Sequence, residues 1–177
     1  MAVRTLNQQG YGYTYSVAQA LNYVLSHAAT SSISNLVVNM SFGSNYEDRC
    51  GLIAQLLDAG QAQLNVVFVG AAGNEYKGVG ARPDAQYPAQ YAHVLAIAAS
   101  NRHGDMASYS NLGSLMAPGG DEPFVGANHC QDETEGIIGR IPTPAGMTNV
   151  VSCGKSFSAG FVSGLEAASL SGPYSNS

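Results

Sequence analysis

Apolar residues along the chain fall into short β-branched runs that alternate with stretches of helical spacing. Ala2 to Leu6 is predicted as a short buried strand, and Asn7 to Tyr13 as a turn with Gly10 and Gly12. Thr14 is placed to cap a helix whose apolar face is Val17, Ala20, Leu21, Val24, Leu25 and Ala28. Leu36 to Met40 is a second apolar strand, and strand, helix, strand in that order predicts a crossover with parallel strands. Asn45 is a candidate cap for the next helix, with Asp48 in its first turn, Leu52, Ile53, Leu56 and Leu57 on its buried face, and Gly60 as a left-handed end. Val66 to Val69 is apolar throughout, as expected of a strand covered on both faces. Gly78 to Gln86 is a polar loop; Val94 to Ala98 and Leu115 to Ala117 are further short strands. From Gly119 to Asn149 no period is sustained, which predicts hairpins or an excursion over the surface. Phe157 to Leu170 is the last helix, with Phe161, Leu165 and Ala168 at core spacing and Gly172-Pro173 as its stop.

The alternation predicts an α/β fold, a mostly parallel sheet with helices on both faces, in a single domain over residues 1–177. A chain of 177 residues, 45% apolar and 11% charged, has the material for one core and is not a disordered chain. The net charge of -5 gives no basic footprint, so nucleic acid is not an expected partner, and no apolar run reaches membrane-spanning length. MAVRTLNQQG lacks the apolar centre of a signal peptide and reads as the inside of a fold, either one with a preceding part or a shortened relative. Three cysteines leave at least one unpaired within the chain. Cys50 reads as a buried or inert thiol; Cys130 and Cys153 flank a polar loop and are the pair open to bridging, with connectivity not fixed by spacing. Gly10-Tyr11-Gly12 opens like a dinucleotide fingerprint, but Tyr15 holds the third glycine position and no acidic residue follows at the right distance, so no nucleotide cofactor is expected.

In an open α/β sheet, sites form beyond the carboxyl ends of the strands. Ser41, Asn74 and Ser156 each fall at the end of an apolar run or on the turn after it. A serine at the start of a helix lies near unpaired N–H groups and the positive end of the dipole, which suits a nucleophile and equally suits a helix cap. Asn74 after a buried strand is either an oxyanion donor or an asparagine in a left-handed turn.

Ser156 in CGKSFSAGFVSG, Asn74 in VVFVGAAGNE and Ser41 in VVNMSFGS, in this order, resemble the subtilisin-like serine proteases. Gly154, Ser156, Val162, Ser163 and Gly164 match the family's nucleophile motif; Lys155 stands for Thr, Ser158 for Ala, Gly160 for Pro and Phe161 for a polar residue. AVRTLNQQGYG, Tyr87-Pro88-Ala89 with HVLAIAAS, and MASYSNLGSLMAPGG extend the resemblance over nearly the whole chain. The resemblance implies that Ser156 is the nucleophile and Asn74 the oxyanion donor. It also implies that Ser41, Phe42 and Gly43 pair with an extended peptide or protein substrate, and that Ala72 and Gly73, with Ala71, wall a pocket for a large apolar side chain. A cis bond before Pro88 and a secreted location are further implications. The sheet would then be incomplete on its N-terminal side.

The family's Asp-Ser/Thr-Gly and His-Gly-Thr-His motifs do not occur. None of His27, His93, His103 and His129 matches the family's base; His129 is the alternative outside the pattern. A serine–lysine pairing of Lys155 with Ser156 is disfavoured because adjacent side chains on a turning backbone point apart. Calcium sites are common in the family, but the positions do not match, and no metal site is expected. Two functions remain: a serine endopeptidase completed by an upstream segment carrying Asp and His, the chain alone being inactive, or a non-catalytic relative that binds peptides.

Overall fold

Apolar runs and helical stretches alternate along the chain as Thr14–Thr30 (α1), Asn35–Met40 (β1), Leu52–Gln63 (α2), Asn65–Ala71 (β2), Val94–Ser100 (β3), Leu115–Pro118 (β4), Ile137–Thr143 (β5), Gly146–Ser152 (β6) and Lys155–Leu170 (α3). The structure, a computed structural model, describes residues 1–121, 130 and 134–172; His129 and Pro173 lie outside them. The first four strands form one parallel sheet in the order β1-β2-β3-β4, with Met40 opposite Gly70, Ala71 opposite Ile97 and Ala99 opposite Ala117.

The strand β2 shows why this sheet is covered on both sides. Val66 and Phe68 point to one face, where Ala18, Leu21 and Leu25 of α1 and Ile53 and Leu57 of α2 close over them. Val69 and Ala71 point to the other, against Ala159 and Val162 of α3. Each side chain alternates by the pleat, so a run with no polar position must have two apolar partners. α3 is the only described helix on its face, and it touches all four strands. That close approach requires small residues: Ser158, Ala159 and Val162 are buried, whereas Phe161 and Leu165 are 47% and 70% exposed. The expected buried face of this helix is therefore rotated.

Other expectations also shift. Ala2 to Leu6 forms no strand and is mostly exposed, because nothing in the described chain pairs with it. Gly51, not Asn45, is the residue before α2, and the Asp48 carboxylate accepts hydrogen bonds from the Cys50 and Ile53 N–H groups. Gly60 is buried inside α2 rather than ending it; a Cβ there would lie 2.8 Å from Phe68 Cζ. The Gly119 to Asn149 stretch contributes an antiparallel hairpin, β5 and β6. Cys130 and Cys153 are joined, with Cα atoms 5.4 Å apart, and Cys50 is free and, contrary to a buried thiol, exposed in the turn before α2. The Tyr87-Pro88 bond is cis.

Candidate functional site

Two parallel strands end side by side and deliver the first two walls of a cleft. β1 runs into Ser41-Phe42-Gly43, and β2 runs into Ala72-Gly73-Asn74. The third wall arrives differently from the sequence expectation. Ser156 does not follow a parallel strand: it follows β6 of the hairpin and opens α3. The junction is brought to the carboxyl edge of the sheet because Gly154 N donates to Gly119 O at 2.9 Å, just past β4. Gly154 has φ 154° and ψ 152°, a conformation that side-chain-bearing residues rarely adopt, and this sharp entry turns the first helical residues toward Asn74.

The three walls are stitched together. Lys155 N donates to Asn74 Oδ1 at 3.3 Å. Ser156 Oγ donates to Ser41 O at 3.1 Å, and Ser41 Oγ donates to Ser156 O at 3.0 Å. Ser41, Phe42, Gly43, Gly73, Asn74 and Ser156 thus share one cleft of about 170 Å³. Asn74 and Ser156 are exposed, as groups meeting a ligand must be. Ala72 is the exception among the expected residues. It is fully buried behind the cleft, and Ala71 lines the wall instead. Gly43 makes no hydrogen bond among the described residues, leaving its N–H and C=O open to an extended chain.

Several residues of the site were not anticipated. Asn111 is 1% exposed and holds the Asn74 turn: its N donates to Gly73 O, its Oδ1 accepts from Glu75 N at 3.0 Å, and its Nδ2 donates to Glu75 Oε2 at 2.8 Å. The only sequence signal for it was its place in MASYSNLGSLMAPGG. Gln86 lies between the two glycine walls and donates from Nε2 to Asn45 Oδ1 at 2.9 Å. Lys155, visible in the sequence only as a departure from the motif, is fully buried. Burial pushes its amine down to about 7, with Glu75 pulling it back up and Arg82 pushing it further down. The walls expected to accept a large apolar side chain therefore enclose a small cleft with Glu75, Gln86 and Lys155 in its lining. On the other side of Ser41 to Ser44 lies a wider groove of about 530 Å³, walled by Tyr11, Tyr13, Phe42, Tyr87 and Tyr91.

None of His27, His93 and His103 lines the cleft. His27 stacks on Tyr23 in α1, and His93 faces Asp58 at 3.4 Å on the surface. Among the described residues no group of three or more His, Cys, Asp or Glu is gathered for a metal ion, and no helix is long and apolar enough to cross a membrane.

Residues 1–175 match the model of the Subtilase family. A Thermostable alkaline protease of Halalkalibacterium halodurans is 33% identical over 122 residues, covering 67% of this chain and 30% of that protein. A Subtilisin-like protease of Coccidioides posadasii is 28% identical over 151 residues, covering 83% and 36%. The Minor extracellular protease Epr of Bacillus subtilis is 30% identical over 121 residues, covering 67% and 17%. The matched stretch thus spans little more than a third, or less, of the length of these curated relatives.

Proposed function

The chain belongs to the subtilase family, and from that premise we propose that it is the nucleophile-bearing part of a subtilisin-like serine endopeptidase. Ser156 attacks the peptide carbonyl, Asn74 donates its side-chain amide to the oxyanion that forms, and Ser41, Phe42 and Gly43 hold the substrate as an added strand. The observation that carries this reading is the convergence of Ser156 and Asn74 on one cleft beside an unpaired Gly43. In this reading the Ser156 hydroxyl, resting on Ser41 O, turns to a base when substrate enters. A serine hydroxyl is a weak nucleophile without one. That base and its orienting carboxylate come from a segment outside residues 1–177, to which the exposed Phe161 and Leu165 of α3, on one surface with Ser156, offer a packing face. Alone, the chain would retain only the contribution of the oxyanion site and binding, roughly 10³–10⁴ over water.

The test is fluorophosphonate labelling of the purified chain, followed by mass spectrometry, with and without a segment supplying Asp and His, and with Ser156→Ala as the control. The expected result is slow labelling alone and fast labelling at Ser156 with the segment. Fast labelling of the chain alone would place the base within these residues. Slow labelling in both arms would favour a peptide-binding relative without catalysis.

A further inference from the structure

The walls that end in Gly43 and Gly73 face each other across a slot, and a side chain from outside both walls occupies it. Gln86 is fixed there from either side. Its N–H donates to Ala72 O at 2.9 Å, on the chain of the second wall. The next residue, Tyr87, exchanges two backbone hydrogen bonds of 2.8 and 2.9 Å with Ser44, on the chain of the first. The far end of the side chain is tied as well, because Nε2 donates to Asn45 Oδ1 at 2.9 Å.

The two glycines show how closely Gln86 fills this slot. A Cβ on Gly43 would lie 2.6 Å from Gln86 Oε1 and 3.0 Å from Gln86 Cβ, and a Cβ on Gly73 would lie 2.8 Å from Gln86 Cγ. Non-bonded carbons rest roughly 3.5–4.0 Å apart, so the glutamine stem and amide already touch both walls. Neither glycine has a side chain that could swing aside to make room. The cleft that remains is about 170 Å³, against the roughly 300–1,000 Å³ of sites for larger ligands. Its depth is therefore set by Gln86 and not by the walls.

The groove on the other side of Ser41 to Ser44 is a contrast. It holds about 530 Å³ and is walled by aromatic rings. Successive side chains of an extended peptide point to opposite sides, so one bound peptide meets a closed site and an open one at different positions.

We propose that Gln86 is the specificity-determining residue of the cleft. By closing the slot it restricts the substrate residue whose carbonyl meets Ser156 to a small one: glycine, alanine or serine. This deepens the peptidase reading and rests on it. The selectivity is an exclusion rather than an attraction. For Leu or Phe to enter, Gln86 must give up Asn45 and leave both walls, whereas a methyl or hydroxymethyl group enters with Gln86 in place.

The experiment measures dissociation constants for alanine-based peptides carrying Ala, Leu or Phe at each position in turn. The protein carries Ser156→Ala to prevent turnover. At one position the Ala peptide should bind about tenfold more tightly than its Phe counterpart, equivalent to about 1.4 kcal/mol, with Leu between them. At a position facing the aromatic groove, Phe should carry no such penalty. Adding Gln86→Gly should raise Phe at the restricted position to at least the level of Ala, and Asn45→Ala, which only frees the glutamine amide, should raise it part of the way. Should Gln86→Gly also lose the Ala peptide, Gln86→Ala, which keeps a side chain on the loop, decides the same question. Phe binding as tightly as Ala at every position in the parent would overturn the proposal. So would a Phe penalty that survives loss of the Gln86 side chain in a protein that still binds the Ala peptide. Either result sinks this inference alone; if no peptide binds at all, the substrate-strand reading fails and takes this inference with it.

Discussion

A lysine enclosed by protein must choose between an unpaired charge and neutrality, and Lys155 illustrates the cost of either. Its amine sits at about 7, against 10.5 when solvated. Between those two values the unfolded chain holds a proton that the folded one has released, so stability rises with pH across that window and is flat below it. Replacing the amine removes a penalty of roughly 4–5 kcal/mol at pH 7 and below. Lys155→Met should therefore stabilise the fold by an amount of that order, with the gap closing as pH approaches 10.5. Urea unfolding of both proteins at several pH values measures this, and a gap independent of pH would show that the lysine is not buried as described. At the same scale, if the proposed peptidase is completed by a segment carrying Asp and His, Asn74→Ala should lower its turnover by about 10²–10³, the loss subtilisins show without this donor. As candidates, Asn74 is legible in the sequence because it follows a buried apolar run, and Ser156 because it sits in a recognisable motif at the start of a helix. The burial of Lys155 was not, since lysine is among the residues least often enclosed, and Gln86 and Asn111 act through contacts with residues distant in the chain.

Element boundaries depend on which polar group reaches a helix end, and α2 begins at Leu52, later than a cap at Asn45 predicts. Asn45 is drawn away by Gln86, while Asp48 takes the N–H groups of Cys50 and Ile53. Those hydrogen bonds, the one from Ile53 foremost, hold its carboxyl below the usual carboxylate range. The stabilisation it gives is therefore present above the unfolded carboxylate pKa and lost as pH falls through the lower folded one. Asp48→Ala should cost about 1 kcal/mol near neutral pH, the usual value of a lost cap, read from the urea midpoint. The end of α2, at Gln63 rather than Gly60, differs for a related reason. Gly60 suggests a stop in a one-dimensional pattern, but here it makes room for Phe68 across the core. Gly60→Ala gains about 1 kcal/mol in helix propensity, yet its methyl would meet the Phe68 ring. Overpacking of roughly 1–3 kcal/mol should leave the variant less stable. The face of α3 is misjudged for the same kind of reason: helical spacing marks Phe161 and Leu165, but close approach to four strands selects Ser158, Ala159 and Val162.

For the molecule as a whole, the parallel sheet was legible because buried strands are apolar at every position, whereas the route by which α3 reaches the carboxyl edge was not. That route runs through the hairpin, and the Cys130–Cys153 link closes it one residue before Gly154. Cross-linking positions 23 apart in sequence removes freedom from the unfolded chain worth roughly 3 kcal/mol. The link also ties the Ser156 turn to Cys130, which is 1% exposed, while Cys50 lies open to solvent. Two measurements follow from this difference in access. With a thiol reagent, the oxidised protein should give one reactive thiol per chain, both native and in denaturant, and three after reduction in denaturant. Replacing Cys130 and Cys153 together by serine should lower stability by about the same 3 kcal/mol. It should also slow labelling of Ser156 in the segment-supplemented assay, because the turn that presents the hydroxyl loses its anchor. Labelling at the parent rate, in a variant shown by its unfolding curve to be destabilised, would mean that the Gly154–Gly119 hydrogen bond alone suffices to hold the nucleophile in place.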